Sequence, residues 1–385
     1  MRASRRSFLA AGLAMPAAGL PATTSTLRNG PEALPASPAA VPLSYRTIGK
    51  TGMKVTSLAF GCMITSDQSV VERAADIGIN YFDTARGYQD GNNERMVGAA
   101  LKGKRKSLFV STKSHAATKQ AALDELDTSL KTLGFDYVDI WYLHGKGRPD
   151  EITDELIEAQ ETARKQGKIR FAGVSTHTAP AIVDRMIQAK RDVMLMSYNF
   201  TMDKANTDAI DKAKAAGIGV VAMKVMAGGK RRIKPGEKLN DIFQRDGALL
   251  AALKWVLKNP KVDTTIPGMT DMDQLDDNLK AMTALFTEAD GKLLAAYLDH
   301  IRPSYCRMCF QCDGTCPKGL PVADVLRFLM YADDYGQFGL GREHFLTLPE
   351  PIAAIRCGDC SSCAVSCPNG VRVTERLIRA QELFA

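Results

Sequence analysis

From about Val55 to Leu285, short apolar runs take turns with longer amphipathic stretches, and this alternation leaves the chain few architectures to choose from. The candidate strands are Val55–Phe60, Ile79–Phe82, Leu108–Ser111, Val138–Leu143, Ile169–Val174, Val193–Ser197, Val220–Met223 and Thr264–Ile266. Helical patterns such as Gln68–Ile77, Thr118–Leu133 and Thr153–Lys165 lie between them. Runs that are apolar throughout suit strands buried on both faces, as in a parallel sheet covered by helices. Eight such alternations in about 240 residues predict an α/β fold, a parallel (β/α)8 TIM barrel. In that architecture the chemistry collects where the strands end, on the C-terminal face.

The cysteines tell a separate story. Eight of the nine fall into two copies of the spacing C-x2-C-x2-C-x3-C-P. The first copy is Cys306, Cys309, Cys312 and Cys316, before Pro317; the second is Cys357, Cys360, Cys363 and Cys367, before Pro368. This run holds [4Fe–4S] clusters in bacterial ferredoxins, where the fourth cysteine serves the other cluster. The spacing therefore predicts two clusters, one on Cys306, Cys309, Cys312 and Cys367, the other on Cys357, Cys360, Cys363 and Cys316. Zinc also uses paired C-x2-C segments, but it has no need of the extra cysteines. Two identical periodic runs would be an odd disulfide framework. Between the runs, Val322, Val325, Leu326, Leu329 and Met330 are spaced as on a helix, and Arg372 to Phe384 reads as another. The tail resembles the all-helical two-cluster ferredoxin domains of some flavoenzyme and respiratory complexes, which implies single-electron transfer over short hops.

The N-terminal stretch Ser4-Arg5-Arg6-Ser7-Phe8-Leu9 precedes a short, mildly apolar segment. A twin arginine in that setting resembles a Tat export signal. The apolar segment is too short and too rich in Ala, Gly and Pro to make a good spanning helix. Residues 16–42 are rich in Pro, Ala, Thr and Ser, as in a cleavage region and linker. Tat carries folded proteins, so this reading agrees with cofactors inserted before export. A periplasmic or otherwise exported location is expected, with no transmembrane anchor once the signal is removed. The formal net charge of +7 is modest and dispersed, and it carries no nucleic-acid footprint. The expected organisation is a signal and linker over 1–42, a barrel over 43–298 and a cluster domain over 299–385.

Polar residues stand where the candidate strands end. Asp83 ends the second run, Lys113 the third and His144 the fourth, with Tyr88 in the loop after Asp83. Phe82-Asp83-Thr84-Ala85-x-x-Tyr88, Ser111-Thr112-Lys113 and Leu143-His144 resemble the aldo-keto reductase superfamily. Gly173-Val174-Ser175, Tyr198-Asn199, Ile266-Pro267-Gly268 and Asn278 match it too. The likeness covers roughly Leu43 to Leu285, and the whole chain resembles the ferredoxin-containing branch. The resemblance implies carbonyl reduction by hydride from NADP(H) or NAD(H). It makes Tyr88 the proton donor, Lys113 the group that lowers its pKa, Asp83 the partner of Lys113, and His144 the group that orients the carbonyl.

The nicotinamide contacts depart from the pattern. The resemblance places cofactor contacts at Ser175, Thr176, Tyr198, Met223, Lys224, Gly268, Gln274 and Asn278. Yet Thr176 stands where the family has Asn, and Leu195 where it has Gln. Met223 replaces a stacking Tyr; Gly268 and Gln274 replace the basic clamp on the 2′-phosphate. A basic stretch, Lys230-Arg231-Arg232-x-Lys234, could compensate or be a solvated loop. NADPH and NADH are thus both open. A hydride carries two electrons and a cluster accepts one, so something must split the pair: a flavin or quinone would, though the chain shows no flavin motif, and a partner protein or a radical-forming substrate could. The ninth cysteine, Cys62, reads as a small buried apolar residue.

Three readings follow. The first is an exported oxidoreductase acting on a small-molecule carbonyl or alcohol, with two clusters serving a redox partner protein. The second is an inactive barrel serving as an electron-transfer or docking subunit of another redox enzyme. The third makes the clusters purely structural. The sequence names no substrate, because loops decide that on this scaffold.

Overall fold

The computed structural model describes residues 42–228 and 247–385. The chain groups into two units, Met1–Ala39 and Ala40–Ala385. The first lies outside the described residues, as do the twin-arginine stretch and Lys230 to Lys234. Barrel and cysteine-rich tail both belong to the second unit.

A hairpin of β1 (Tyr45–Thr47) and β2 (Lys54–Thr56) opens the fold. Eight strands then pair in parallel and in sequence order: β3 (Phe60–Gly61), β4 (Tyr81–Asp83), β5 (Phe109–Ser114), β6 (Val138–Leu143), β7 (Ile169–Thr176), β8 (Val193–Ser197), β9 (Gly219–Met223) and β10 (Thr264–Thr265). The ring closes where Leu58 bridges Thr265 and Gly61 bridges Gly268, both in parallel register. The eight-strand expectation therefore holds, with one correction. The run Val55–Phe60 is not one strand: Val55 belongs to the hairpin and Phe60 to the barrel. The residues between them are apolar or small, and periodicity alone cannot show where such a run bends.

Helices α1 (Gln68–Asp76), α2 (Asn92–Leu101), α3 (Lys119–Leu133), α4 (Asp154–Lys165), α5 (Ala179–Gln188), α6 (Lys204–Ala215), α7 (Ala248–Leu257) and α8 (Met272–Leu279) accompany the strands. Their starts are set by side chains. Thr118 accepts from the backbone of Ala121, and Thr153 from that of Leu156, each satisfying an orphan amide worth about 1 kcal/mol. The main core fills the space between strands and helices with Leu58, Val110, Trp141, Val174, Met194 and Val220. A second layer inside the ring holds Tyr81, Ile140, Tyr142, Leu195 and Val221. Gly173 makes room for it, because a Cβ there would sit 2.4 Å from the Tyr142 ring.

The tail is helical among the described residues. Helix α9 (Glu288–Ile301) leads into the first cysteine run; α10 (Val322–Asp333), α11 (Phe338–Leu346) and α12 (Glu350–Ala353) separate the two runs; α13 (Val373–Phe384) follows the second. Leu294, Tyr305, Met308, Val325, Leu329, Phe345, Leu377 and Phe384 form its core, which continues into α7 through Ala248, Ala251 and Ala252. Asn199, just after β8, donates to the Lys224 carbonyl at 2.9 Å and to the Tyr305 hydroxyl at 3.0 Å, tying two strand ends to the tail. No described helix is long and apolar enough to cross a membrane.

Candidate active site

The parallel strands bring their C-terminal ends to one face, and four of the polar residues singled out there converge. Lys113 Nζ donates to Asp83 Oδ2 at 2.5 Å, to the Thr84 carbonyl at 2.7 Å and to Tyr88 Oη at 3.3 Å. Asp83 also accepts from Ser111 Oγ at 2.6 Å. With Lys113 1% exposed and Asp83 2%, this is a buried, fully engaged ion pair. The His144 ring meets Tyr88 edge-on at 5.8 Å and stacks on His115 at 3.8 Å. Its Nδ1 is shut off from water and has no hydrogen-bond partner among the described residues.

Local backbone aims Tyr88 at this pair. The chain turns through a short 3₁₀ segment, Tyr88–Gly91, in which Gln89 and Asp90 both take a φ of 52°. Left-handed backbone at two non-glycine residues stores strain, and such strain gathers at functional sites. Beneath it, buried Asn93 binds the carbonyls of Cys62 and Thr65, and buried Glu94 pairs with Arg86 at 2.6 Å. Cys62 is fully buried, as expected, with the thiol's sulfur 3.9 Å from its acceptor, the Phe60 carbonyl.

The electrostatics depart from expectation in one respect. Burial pushes the Tyr88 hydroxyl well above its usual range, and Asp83, Tyr331 and Cys62 push the same way. The expected lowering by Lys113 does not prevail. Asp83 already neutralises that ammonium, and the cost of burying a phenolate outweighs what field remains. Burial likewise lowers Lys113 and raises Asp83, while each charge pulls the other back toward the ionised form. His144 is held well below its usual value by burial, then by His115, Lys113 and His177. At neutral pH the site offers a protonated tyrosine and a neutral imidazole.

These groups open into a cavity of about 320 Å³. Its floor is strand ends: Gly61, Asp83, Ser175, Met223, Lys224 and Gly268. Its far wall comes from the tail: Phe310, Asp313, Arg327, Tyr331 and His344. Sequence reasoning missed this wall. Arg327 and Tyr331 are one helical turn apart and could have been read as one face of α10, but nothing in their spacing says what that face meets. Four of the chain's five histidines line the same cavity.

The residues expected to grip a nicotinamide divide. Ser175, Met223, Lys224 and Gly268 line the cavity. Thr176, Tyr198, Gln274 and Asn278 do not. Thr176 Oγ1 accepts from the Thr178 backbone at 2.9 Å. Tyr198 packs against Trp255, and its hydroxyl accepts from Asn259 at 3.2 Å. Gln274 binds Thr270 and Asp271 at the start of α8. Asn278 is 5% exposed, and its Nδ2 has no hydrogen-bond partner among the described residues. A buried orphan donor of this kind suits a polar ligand.

The cysteines group as two sets drawn from both runs. Cys306, Cys309, Cys312 and Cys367 surround one small pocket with Asn369 and Val373. Burial raises the Cys306 thiol to about 12, and its three companions add to the rise. Cys357 is raised by burial and then by Cys360, Cys363 and Cys316. Met308 and Phe310 take a φ of 56°, curling the first run. Alternating left-handed turns of this sort point backbone N–H groups inward and favour bound anions, iron–sulfur centres included. The backbone N–H of Met308 lies 3.4 Å from Cys306 Sγ, and that of Asn369 3.4 Å from Cys367 Sγ. Among the described residues, no three His, Cys, Asp or Glu side chains converge as ligands of a single metal ion.

A closed parallel barrel with an Asp–Lys–Tyr–His corner defines a class of oxidoreductase scaffold. Residues 64–299 match the Aldo/keto reductase family, and the chain belongs to it. It is 27% identical over 298 residues to an uncharacterized oxidoreductase of Bacillus subtilis, YqkF, across 66% of this chain and 95% of that one. It is also 27% identical over 312 residues to the L-glyceraldehyde 3-phosphate reductase of Escherichia coli K12, across 63% of this chain and 88% of the relative. Among solved structures, the holo form of aldo-keto reductase AKR11C1 from Bacillus halodurans superimposes with a TM-score of 0.58 at 26% identity, covering 66% of this chain and 96% of that one. The family match stops at residue 299 and leaves the cysteine runs outside it.

Proposed function

We propose that this aldo-keto-reductase-type oxidoreductase is exported, interconverts a small carbonyl and its alcohol with NADP(H) or NAD(H), and joins that reaction to one-electron transfer. The observation that carries the reading is the shared cavity: Asp83, Tyr88 and His144 face Phe310, Asp313 and Arg327 of the cysteine-rich tail across one space. Aldo-keto reductases generally use NADP(H). Here a nicotinamide would lie against Ser175, Met223 and Gly268, and the orphan amide of Asn278 offers its far end a donor. When bound, it supplies or takes a hydride at the carbonyl carbon.

The chain's own residues manage the oxygen and its proton. Tyr88, kept protonated by its surroundings, gives its Oη proton to the carbonyl oxygen as negative charge gathers there. Lys113, 3.3 Å away, steadies the phenolate left behind, and Asp83 fixes Lys113 in place. His144, neutral and braced by His115, orients the oxygen. Residues Cys306, Cys309, Cys312 and Cys367, and Cys357, Cys360, Cys363 and Cys316, would hold two [4Fe–4S] clusters, which supply one-electron transfer to a partner protein. The second set is the outer one: Cys360 and Cys363 are exposed, while Cys306, Cys309 and Cys312 are not. Ser4 to Leu9 supports export, which suits a protein loaded before translocation.

The test is anaerobic. NADPH, then NADH, is added to purified, cluster-loaded protein while cluster absorption and EPR are followed. Reduction by either nucleotide places nicotinamide and clusters in one circuit. Binding without reduction leaves a conventional reductase. A second reading, an electron-transfer subunit with an idle barrel, is favoured by the engagement of Thr176, Tyr198 and Gln274 with partners away from the cavity. It wins if neither nucleotide binds.

A further inference from the structure

The Asp83–Lys113 pair accounts for one corner of the cavity, but two further cations face the same space. Lys224 follows β9 and takes a φ of 55°, a left-handed backbone that a lysine adopts only at a cost. That turn carries its ammonium over the rings of Tyr331 at 4.9 Å and Tyr335 at 5.3 Å. Among the described residues, no carboxylate lies within ion-pair distance of Lys224. Arg327 reaches in from α10. Its Nη2 donates to Asp324 at 2.8 Å and its Nη1 to the Tyr331 hydroxyl at 3.1 Å, while its Nε is shut off from water with no partner among the described residues.

Most of the other charges around the cavity are paired locally, Asp313 excepted. Asp83 holds Lys113, Glu151 pairs with Arg148 at 3.2 Å, and Asp324 answers Arg327. Asp313 also lines the space. Lys224 remains the described cation without a carboxylate. Lys224 is answered by the Tyr331 hydroxyl and ring but by no carboxylate, so an anionic ligand would still add to what holds this half-buried ammonium. The position is also apt. The charge of Arg327 is felt by His115, His144 and His177, so it lies within range of the side chains that would handle a carbonyl.

We propose that Lys224 and Arg327, with Tyr331 between them, form a carboxylate-binding subsite, so that the substrate is an anionic carbonyl compound or the matching hydroxy acid. Arg327 and Tyr331 come from the tail, so the tail contributes to substrate choice as well as to any electron transfer. The inference rests on the carbonyl–alcohol reading above. An oxyanion here could also be a nucleotide phosphate. The resemblance counts Lys224 among the nucleotide contacts with Gly268, Gln274 and Asn278; the substrate is favoured because Arg327, which that pattern does not include, stands on the histidine side.

The test uses two probes that differ by one carboxylate, 4-carboxybenzaldehyde and benzaldehyde, titrated calorimetrically into the loaded full chain. The wild type is expected to prefer the charged probe by roughly tenfold or more, the order of a hydrogen bond to a charged group. Lys224→Met and Arg327→Met should each remove most of that ratio, and Arg327→Lys should restore part of it. Using the ratio cancels general losses of affinity, and Lys224→Met keeps the test alive if Arg327→Met disturbs α10. A wild-type ratio near one, or a ratio unchanged in both methionine variants, overturns the subsite. So does a loss confined to NADPH affinity, which would give the cations to the nucleotide. A separate turnover assay with both aldehydes distinguishes the two claims: if the ratio behaves as expected but neither aldehyde is reduced, the subsite stands and the carbonyl reading falls.

Discussion

The floor and the wall of the cavity are built on different principles. The floor is made of strand ends whose directions are fixed by parallel pairing and ring closure, so Asp83, Lys113 and His144 each sit where a ladder of backbone hydrogen bonds puts them. The wall is made of helices and cysteine loops packed chiefly by side chains, among them Val325, Leu329 and Phe345. A rigid floor suits chemistry, which tolerates little misplacement. A helical wall can change one residue at a time without moving the reacting groups, and that suits substrate choice.

Mutations should separate the two. The largest effect belongs to the floor. Tyr88→Phe is expected to lower carbonyl turnover by roughly 10²–10⁴-fold, the range for a positioned acid, with unchanged thermal unfolding; a wild-type rate removes Tyr88 from the chemistry. Asp83→Ala leaves Lys113 buried without its carboxylate and should cost about 3–5 kcal/mol in denaturant unfolding. Loss of less than about 1 kcal/mol would mean that water or Thr84 suffices for Lys113.

The cysteine sets provide an intermediate effect. In the cross-ligated arrangement, Cys306→Ala and Cys367→Ala remove the same cluster, so the double variant should retain half the wild-type iron. The pair Cys306→Ala and Cys316→Ala should lose nearly all of it. Iron content that follows each run separately breaks the arrangement. Gly173→Ala, away from either wall, should destabilise by about 1–3 kcal/mol as its Cβ meets Tyr142. An unchanged unfolding midpoint would show that the ring's inner layer can yield.

The smallest effect is one of pH. His115 and His344 are both lowered to about 4, chiefly by burial and partly by nearby cations. An unfolded chain takes up their protons near pH 6.5, whereas the folded chain refuses them until about 4. The unfolded state then binds more protons, so stability should fall as pH drops through that window. Replacing both with glutamine should flatten the fall. An unaltered slope assigns it to other groups.

The floor was largely legible in the sequence. Strands such as Val138–Leu143 announce themselves by continuous apolar runs, and a polar residue closing such a run can only point toward the barrel mouth. The bend between Val55 and Phe60 was not legible, because Thr56 and Ser57 are small residues that a buried strand also accepts. The helix of Arg327 could be read, but its placement over Tyr88 depends on how a tail packs back onto a barrel, and local periodicity carries no such information. Tyr198 failed for a related reason: Trp255 and Asn259, more than fifty residues on in sequence, draw it into the core. The direction of the Tyr88 pKa shift is not legible from motif order, because burial decides the balance while the donor itself stays protonated.

Phe310 belongs at once to the first cysteine loop and to the wall of the cavity. On the proposed reading, cluster ligation by Cys306, Cys309 and Cys312 would hold this loop in place. If the proposed clusters are bound, a molecule that lost one to oxygen would also lose part of its chamber, and water would reach the reacting centre. Oxidative damage at one end of the protein would be reported at the other as a leak, so that defective copies fall silent instead of wasting reductant.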